Sequence, residues 1–245
     1  MIKKFLLAAA LAVLPFSAYA FEAKLQNAIN AVPQINDNCS ASVIYSDRNE
    51  ETGKVKTVIL TAKHCVDSQP MNQKNTVDFP VYQNNRVVQK NSYTATVLGK
   101  FYKADLALLQ LDDTQTLFKN VIKIANKDTT LTLGEDTVVV GYPFGLGINV
   151  TFGNFMTFIT IDQWKPGTEF IRATPDIGPG NSGGALLRKT PDGYELIGVT
   201  TAVIPGWPFT GLFTPYTDVN EYLKTALPEV LQESSEPSVV SPVGK

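Results

Sequence analysis

Histidine is the scarcest of the chemistry-bearing residues in this chain: 245 residues contain one, His64, beside two cysteines, three methionines and two tryptophans. A single imidazole without a C-x-x-C pair supplies too few soft ligands for a closed zinc site, so no metal is expected, and no organic cofactor either. Charge of one sign is missing too. Twenty-one Lys and Arg stand against 23 Asp and Glu, a formal net charge of −2. That balance offers no basic face for phosphate backbones, which argues against nucleic acid as a partner. Nor is there an apolar run of the roughly 20 residues that a membrane-spanning helix needs.

The nearest approach to such a run is at the start, where Lys3 and Lys4 precede apolar residues from Phe5 to Phe16, followed by Ser17, Ala18, Tyr19 and Ala20. A basic head, a short apolar stretch and an A-x-A site read as a secretory signal peptide, residues 1–20, cut after Ala20. The expected location is therefore periplasmic or secreted, with no membrane span left after cleavage. Loss of the two lysines moves the formal charge from −2 to −4. In an oxidising compartment Cys39 and Cys65 most simply pair, and closing that loop would stabilise the fold by about 3.5 kcal/mol in the chain-entropy model.

Phe21, Leu25, Ile29 and Val32 are spaced for one face of a short helix, so residues 21–35 are expected to form an N-terminal helical segment. The pattern then changes to short β-rich runs: Ser42 to Tyr45, Val55 to Thr61, Thr76 to Tyr82, Ser92 to Lys100 and Leu106 to Leu111. After a polar linker from Ala125 to Gly134 they resume at Thr137 to Gly141, Asn149 to Ile161, Thr168 to Thr174, Gly184 to Leu187 and Leu196 to Val203. Many short strands without intervening helices predict an all-β protein of barrels or sandwiches. One C-terminal helix is expected, capped by Asp218, with Val219, Tyr222, Leu223 and Ala226 on its apolar face and Pro228 as its stop. The domain is expected to span 36–232, with units of about 36–125 and 135–218, and residues 233–245, rich in Ser, Pro and Val, to be a disordered tail.

Any mechanism that needs an imidazole base must use His64, which follows a β-rich run in Leu60-Thr61-Ala62-Lys63-His64-Cys65. Gly178-Pro179-Gly180-Asn181-Ser182-Gly183-Gly184 surrounds a serine with glycines, which permit positive φ and a close approach of substrate. The amides of Gly180 and Ser182 are candidates for one oxyanion hole. G-x-S-x-G also fits the elbow of an α/β-hydrolase, but there the histidine follows the serine, and none follows Ser182. The subtilisin order needs an acid before the histidine and a serine that opens a helix, whereas a strand is expected after Ser182. The order His, Asp, Ser remains. Asp105 enters the apolar run Leu106-Ala107-Leu108-Leu109, where a carboxylate is costly to bury without a donor such as an imidazole N–H. Asp112, Asp113, Asp128, Asp136 and Asp162 sit at run ends or in polar loops, as solvated acids do.

The segments LTAKHC, ADLALLQL, VGYPFGL and GPGNSGGALL followed by LIGVTTA resemble those of trypsin-like serine proteases, in particular the bacterial HtrA-type branch. The resemblance spans roughly Cys39 to Val219. It implies two perpendicular six-stranded antiparallel β-barrels with His64, Asp105 and Ser182 as a catalytic triad in the cleft, and a polypeptide substrate. It also implies that Cys39 and Cys65 staple the histidine loop and that Thr201 pairs its backbone with an extended substrate. Departures matter as well. Asn181 stands where animal digestive relatives keep an aspartate for a zymogen ion pair, and Phe21 does not begin an Ile-Val-Gly-Gly sequence, so activation by insertion of a new terminus is not expected. The chain is expected to have no PDZ domain.

Asp176 falls where trypsin keeps the acid of its primary pocket, which favours Arg or Lys in the substrate. Val203, two residues after Thr201, would narrow the pocket for small aliphatic residues. A rival function is a polypeptide-binding protein or chaperone that keeps the fold without cutting; a third is an esterase or a processing enzyme that acts mainly on one partner. The intact triad argues for a serine endopeptidase. Composition and motifs leave the oligomeric state open.

Overall fold

The computed structural model describes residues 23–228 apart from 69, 85, 113, 163, 164, 205, 208 and 209. The expected signal peptide, the start of the N-terminal helix at Phe21 and the expected tail lie outside the described residues. Helix α1 covers residues 23–30, and Ala28, Ala31 and Val32 on its inner side and its exit are buried in the core.

Seven strands form the first sheet: β1 (Gln34–Ile35), β2 (Cys39–Ser40), β3 (Ser42–Arg48), β4 (Val55–Thr61), β5 (Lys74–Gln83), β6 (Arg86–Phe101) and β7 (Leu106–Leu111). Their order is β2-β1-β5-β6-β7-β4-β3, all neighbours antiparallel. Edge strand β3 and the residue before it are tied to the segment that leads from α1 into β1, because Ala41 N–H donates to Pro33 O (3.0 Å) and Val43 N–H to Ala31 O (2.8 Å). Strand β7 alternates little: Leu106, Ala107, Leu108 and Leu109 are all buried, as a strand covered on both faces requires.

The second sheet comprises β8 (Lys123–Ile124), β9 (Asp136–Gly141), β10 (Asn149–Thr160), β11 (Glu169–Ala173), β12 (Ala185–Thr190), β13 (Gly193–Val203) and β14 (Gly211–Pro215). The order β12-β9-β10-β11-β14-β13 closes on itself through β12–β13 pairing, which removes its free edges, and β8 is appended in parallel to β13. The two β units in an all-β fold are as expected, but only the second is a closed six-stranded barrel; the first is a half-barrel sheet whose two-residue strands β1 and β2 are too short to close it by strand pairing.

Helix α2 (Tyr216–Ala226) buries Tyr216, Val219, Tyr222 and Leu223. It starts earlier than expected. Pro215 is its N-cap and no side chain caps it, so Asp218 lies inside the first turn rather than at the cap. Burial there, reinforced by the charges of Glu221 and Glu169, pushes the Asp218 carboxyl up to about 6. Tyr222 stacks on Phe101 with centroids 5.0 Å apart, and Lys103 Nζ meets Glu221 Oε1 at 2.5 Å. The helix thus braces the β6–β7 turn of the first sheet, from which Asp105 projects.

Candidate active site

His64 sits in a short 3-10 turn, Lys63–Cys65, directly after β4, and Asp105 lies one residue before β7, the neighbour of β4. Adjacent strands therefore deliver His64 and Asp105 to the same end of the sheet. Asp105 Oδ1 accepts the backbone N–H of His64 at 2.9 Å, and Oδ2 lies 2.6 Å from His64 Nδ1. The first bond fixes the turn and the second fixes the ring, leaving Nε2 as the nitrogen free of Asp105. The hydrogen bond that the imidazole donates to Asp105 lifts its pKa above the usual 6.5 against the opposing effect of burial. Burial presses the Asp105 carboxyl upward, but its bonds to His64 outweigh that, and it is held below the usual carboxylate range.

Cys39 and Cys65 form a disulfide, as expected. Among the described residues, the one cluster of metal-ligand types is Cys39, His64 and Cys65. Its two sulfurs are spent on the disulfide, and metal binding needs thiolates. The bridge joins β2 to the His64 turn, and Ser182 O lies 3.7 Å from Cys65 Sγ.

The serine loop is tied down carbonyl by carbonyl. Gly178 O accepts from Asn181 N–H (3.0 Å), Pro179 O from Phe144 N–H (2.6 Å), Asn181 O from Gly184 N–H (2.8 Å) and Ser182 O from Ser40 N–H (2.8 Å). Gly180 O accepts the Ser40 hydroxyl at 2.8 Å. The amide of Gly183 donates to Thr200 O (2.8 Å), whereas those of Gly180 and Ser182 have no partner among the described residues. A trans peptide points its N–H opposite to its C=O, so anchoring Pro179 O to Phe144 aims the Gly180 N–H away from Phe144. Phe144 reaches that position at φ +56, and its ring, 67% exposed, covers Gly178.

Glycine is required at two points of the loop. Gly180 has φ +98, and a Cβ there would lie 2.4 Å from Tyr142 O. Gly183 has φ +83, and a Cβ would lie 2.1 Å from Thr61 Oγ1 and 2.9 Å from Ala62 N, so the loop abuts the segment that leads into His64. Ser182 itself is half-buried, while Asn181 beside it is buried with Oδ1 unpaired.

The expected specificity residues are more scattered. Thr201 is half-buried at a bulge that takes it out of the β13–β14 register, and its hydroxyl bonds Thr214 Oγ1 (2.8 Å) and Val199 O (3.1 Å). Val203, 46% exposed, pairs with Gly211 at the end of β13. Asp176 is exposed and lines a concavity of about 530 Å³ with Phe144, Leu146, Ile148 and Asn149. Ile177 and Phe213 converge instead on Gly211, where a Cβ would lie 3.1 Å from Ile177 Cδ1 and 2.7 Å from the Phe213 ring.

Sequence reasoning passes over Ser40, Tyr142 and Phe144. Ser40 is fully buried, and its hydroxyl, besides donating to Gly180 O, accepts Tyr142 N–H at 2.8 Å. Nothing in the letters Cys39-Ser40 signals this, because the partners lie about 100 residues or more away. Asp112 also departs from expectation: it is held by Lys74 Nζ (2.9 Å) and Thr96 Oγ1 (2.8 Å) rather than solvated.

Comparison with known proteins adds family context. A solved HtrA-type protease with a tripeptide superposes with a TM-score of 0.64 at 22% identity, over 84% of this chain and 62% of that one, a likeness of fold. A probable periplasmic serine endoprotease, DegP-like, of Buchnera aphidicola subsp. Schizaphis graminum is 39% identical over 116 residues, 46% of this chain and 22% of that protein. The periplasmic serine endoprotease DegP of Escherichia coli is 31% identical over 153 residues, 61% of this chain and 28% of that protein. The periplasmic pH-dependent serine endoprotease DegQ of Escherichia coli is 38% identical over 122 residues, 49% of this chain and 26% of that protein. The chain thus spans about a quarter of the length of these curated relatives. A family model for the trypsin-like peptidase domain matches residues 39–199, and the chain belongs to that family.

Proposed function

We propose that this chain is an exported serine endopeptidase that hydrolyses peptide bonds through His64, Asp105 and Ser182 and a covalent acyl-enzyme. The observation that carries the reading is the pairing of Asp105 with His64 Nδ1 at 2.6 Å, beside a serine loop whose Gly180 and Ser182 amides are idle. Ser182 Oγ attacks the carbonyl carbon of an extended peptide while His64 Nε2 takes its proton. Asp105 holds the tautomer and steadies the imidazolium. The carbonyl oxygen, now negative, accepts the Gly180 and Ser182 N–H groups, each worth roughly a hundredfold or more in rate. The imidazolium protonates the departing amine, and water repeats the sequence to release the acid.

Export rests on the basic and apolar start of the chain with its A-x-A site, and on the periplasmic relatives. The proposed peptidase domain runs from strand β1 to 232 rather than from 36, preceded by helix α1 (residues 23–30) rather than by a helical segment reaching 35, because Gln34 and Ile35 pair with β2 and β5 in the first sheet. For primary specificity we favour small aliphatic residues. Ile177 and Phe213 give the surroundings of Gly211 an apolar character, whereas Asp176 faces solvent. The bulge at Thr201 leaves its backbone to pair with substrate.

Digestion of a peptide library by the purified protein tests the reading. Cleavage after small aliphatic residues that disappears in Ser182→Ala supports it. Cleavage after Arg or Lys returns the pocket to Asp176. Binding of polypeptides without any cleavage by the folded wild type would replace the protease with a holding protein.

A further inference from the structure

We infer that the Ser40 hydroxyl is a positioning group for the oxyanion hole, acting from the opposite sheet through Gly180; the inference rests on the proposed protease reading. Gly180 is the loosest point of the serine loop, a glycine at φ +98 between two peptide planes. One plane, Pro179–Gly180, carries the Gly180 N–H and is held by Phe144 N–H on Pro179 O at 2.6 Å. The other, Gly180–Asn181, is held on its carbonyl by the Ser40 hydroxyl at 2.8 Å. The second idle amide, that of Ser182, follows one residue later. Ser40 therefore stops the rotation that would turn the two N–H groups away from a common point.

The serine is well fitted for this. It is 0% exposed, so no bulk water can stand in for its hydroxyl. Its oxygen is itself anchored, accepting Tyr142 N–H at 2.8 Å, which directs its one proton to Gly180 O. Its backbone N–H holds Ser182 O at 2.8 Å, and its carbonyl accepts the Thr61 hydroxyl at 2.8 Å. Its neighbour Cys39 is bonded to Cys65, next to His64. One dipeptide of β2 thus spans from the imidazole turn to the oxyanion amides.

The test compares wild type with Ser40→Ala and Ser40→Gly, both of which keep the backbone N–H; the second guards against misfolding of the first. Active sites are counted by labelling to completion with a fluorophosphonate, so that unfolded protein does not enter the rate. Per titrated site, kcat is expected to fall by about 10-fold to 100-fold, less than for deletion of a hole donor, with KM within about threefold. Affinity for a peptide boronic acid, whose tetrahedral adduct fills the hole, is expected to fall by the same factor, and affinity for the product peptide to stay unchanged. A kcat within about threefold of wild type, or a lower kcat with unchanged boronate affinity, would overturn the assignment while leaving the protease reading intact. Wild type that takes up no fluorophosphonate would overturn the protease reading and this assignment with it.

Discussion

Asp105 meets His64 at two points, Oδ1 on the backbone N–H at 2.9 Å and Oδ2 at Nδ1 at 2.6 Å, so one carboxylate orients both the turn and the ring. Asp105→Asn keeps the shape but loses the charge and presents the wrong tautomer to the ring. Its kcat is expected to drop by about 10⁴-fold. Because the Asp105 bond lifts the imidazole above 6.5, the acid limb of kcat/KM should lie above that value in wild type and move down in Asp105→Asn. For stability the sign follows from the same shift. The His64 contribution is complete below 6.5 and is lost as pH rises through the raised value.

Gly183→Ala introduces a Cβ 2.2 Å from Ser40 O at a residue held at φ +83. Backbone atoms on both sides cannot give way cheaply, so urea unfolding should show a loss of roughly 2–4 kcal/mol, with peptidase activity abolished.

Phe144 separates the role of a backbone from that of a side chain. Phe144→Gly keeps the N–H on Pro179 O and relieves the strain of φ +56, so kcat should stay within about tenfold of wild type. Phe144→Pro deletes that N–H and forbids positive φ, and kcat should fall by about 100-fold or more. Equal activity of the two variants would show that the Pro179 carbonyl needs no tie.

Replacing both Cys39 and Cys65 by Ala opens a loop of sequence separation 26, a loss of about 3.5 kcal/mol of stability in urea titrations on chain-entropy grounds. Activity should fall further than the folded fraction does, because the bridge joins the His64 turn to the strand that holds Ser182 O.

Asp218, raised to about 6 by burial and by Glu221 and Glu169, opposes folding when charged. Its stabilising contribution is present below the ordinary 3.8 and is lost as pH rises through about 6. Asp218→Asn should therefore raise the melting temperature at pH 7.5, and the gain should vanish near pH 4.

What was legible in the letters depended on how local its cause was. Strands Val55–Thr61 and Leu106–Leu111 begin and end where their apolar runs do, because burial on a sheet dictates both. Asp105 stood out since a carboxylate entering an apolar run must find a donor. Strand β14 escaped notice. Gly211-Leu212-Phe213-Thr214-Pro215 sits among prolines and glycines that read as loop, yet all five residues are buried between β11 and β13. The arms of β5 and β6 run on to Gln83 and back from Arg86 through mostly exposed residues, Val87 and Val88 among them, since cross-strand pairing rather than burial extends them. Asp218 looked like a cap because acids favour helix starts, but the chain enters the helix from buried strand β14 and Pro215 takes the cap. Ser40 and Phe144 act on residues far along the chain, and only the folded backbone reveals them.

The central claim is an assembled, activated Ser182. The measurement is labelling of the purified protein by a fluorophosphonate probe, with the adduct located by mass spectrometry in wild type, Ser182→Ala and His64→Ala. The account predicts one adduct, on Ser182, in wild type and none in either variant. A folded wild type without adduct, or an adduct that survives His64→Ala at the wild-type rate, would contradict it.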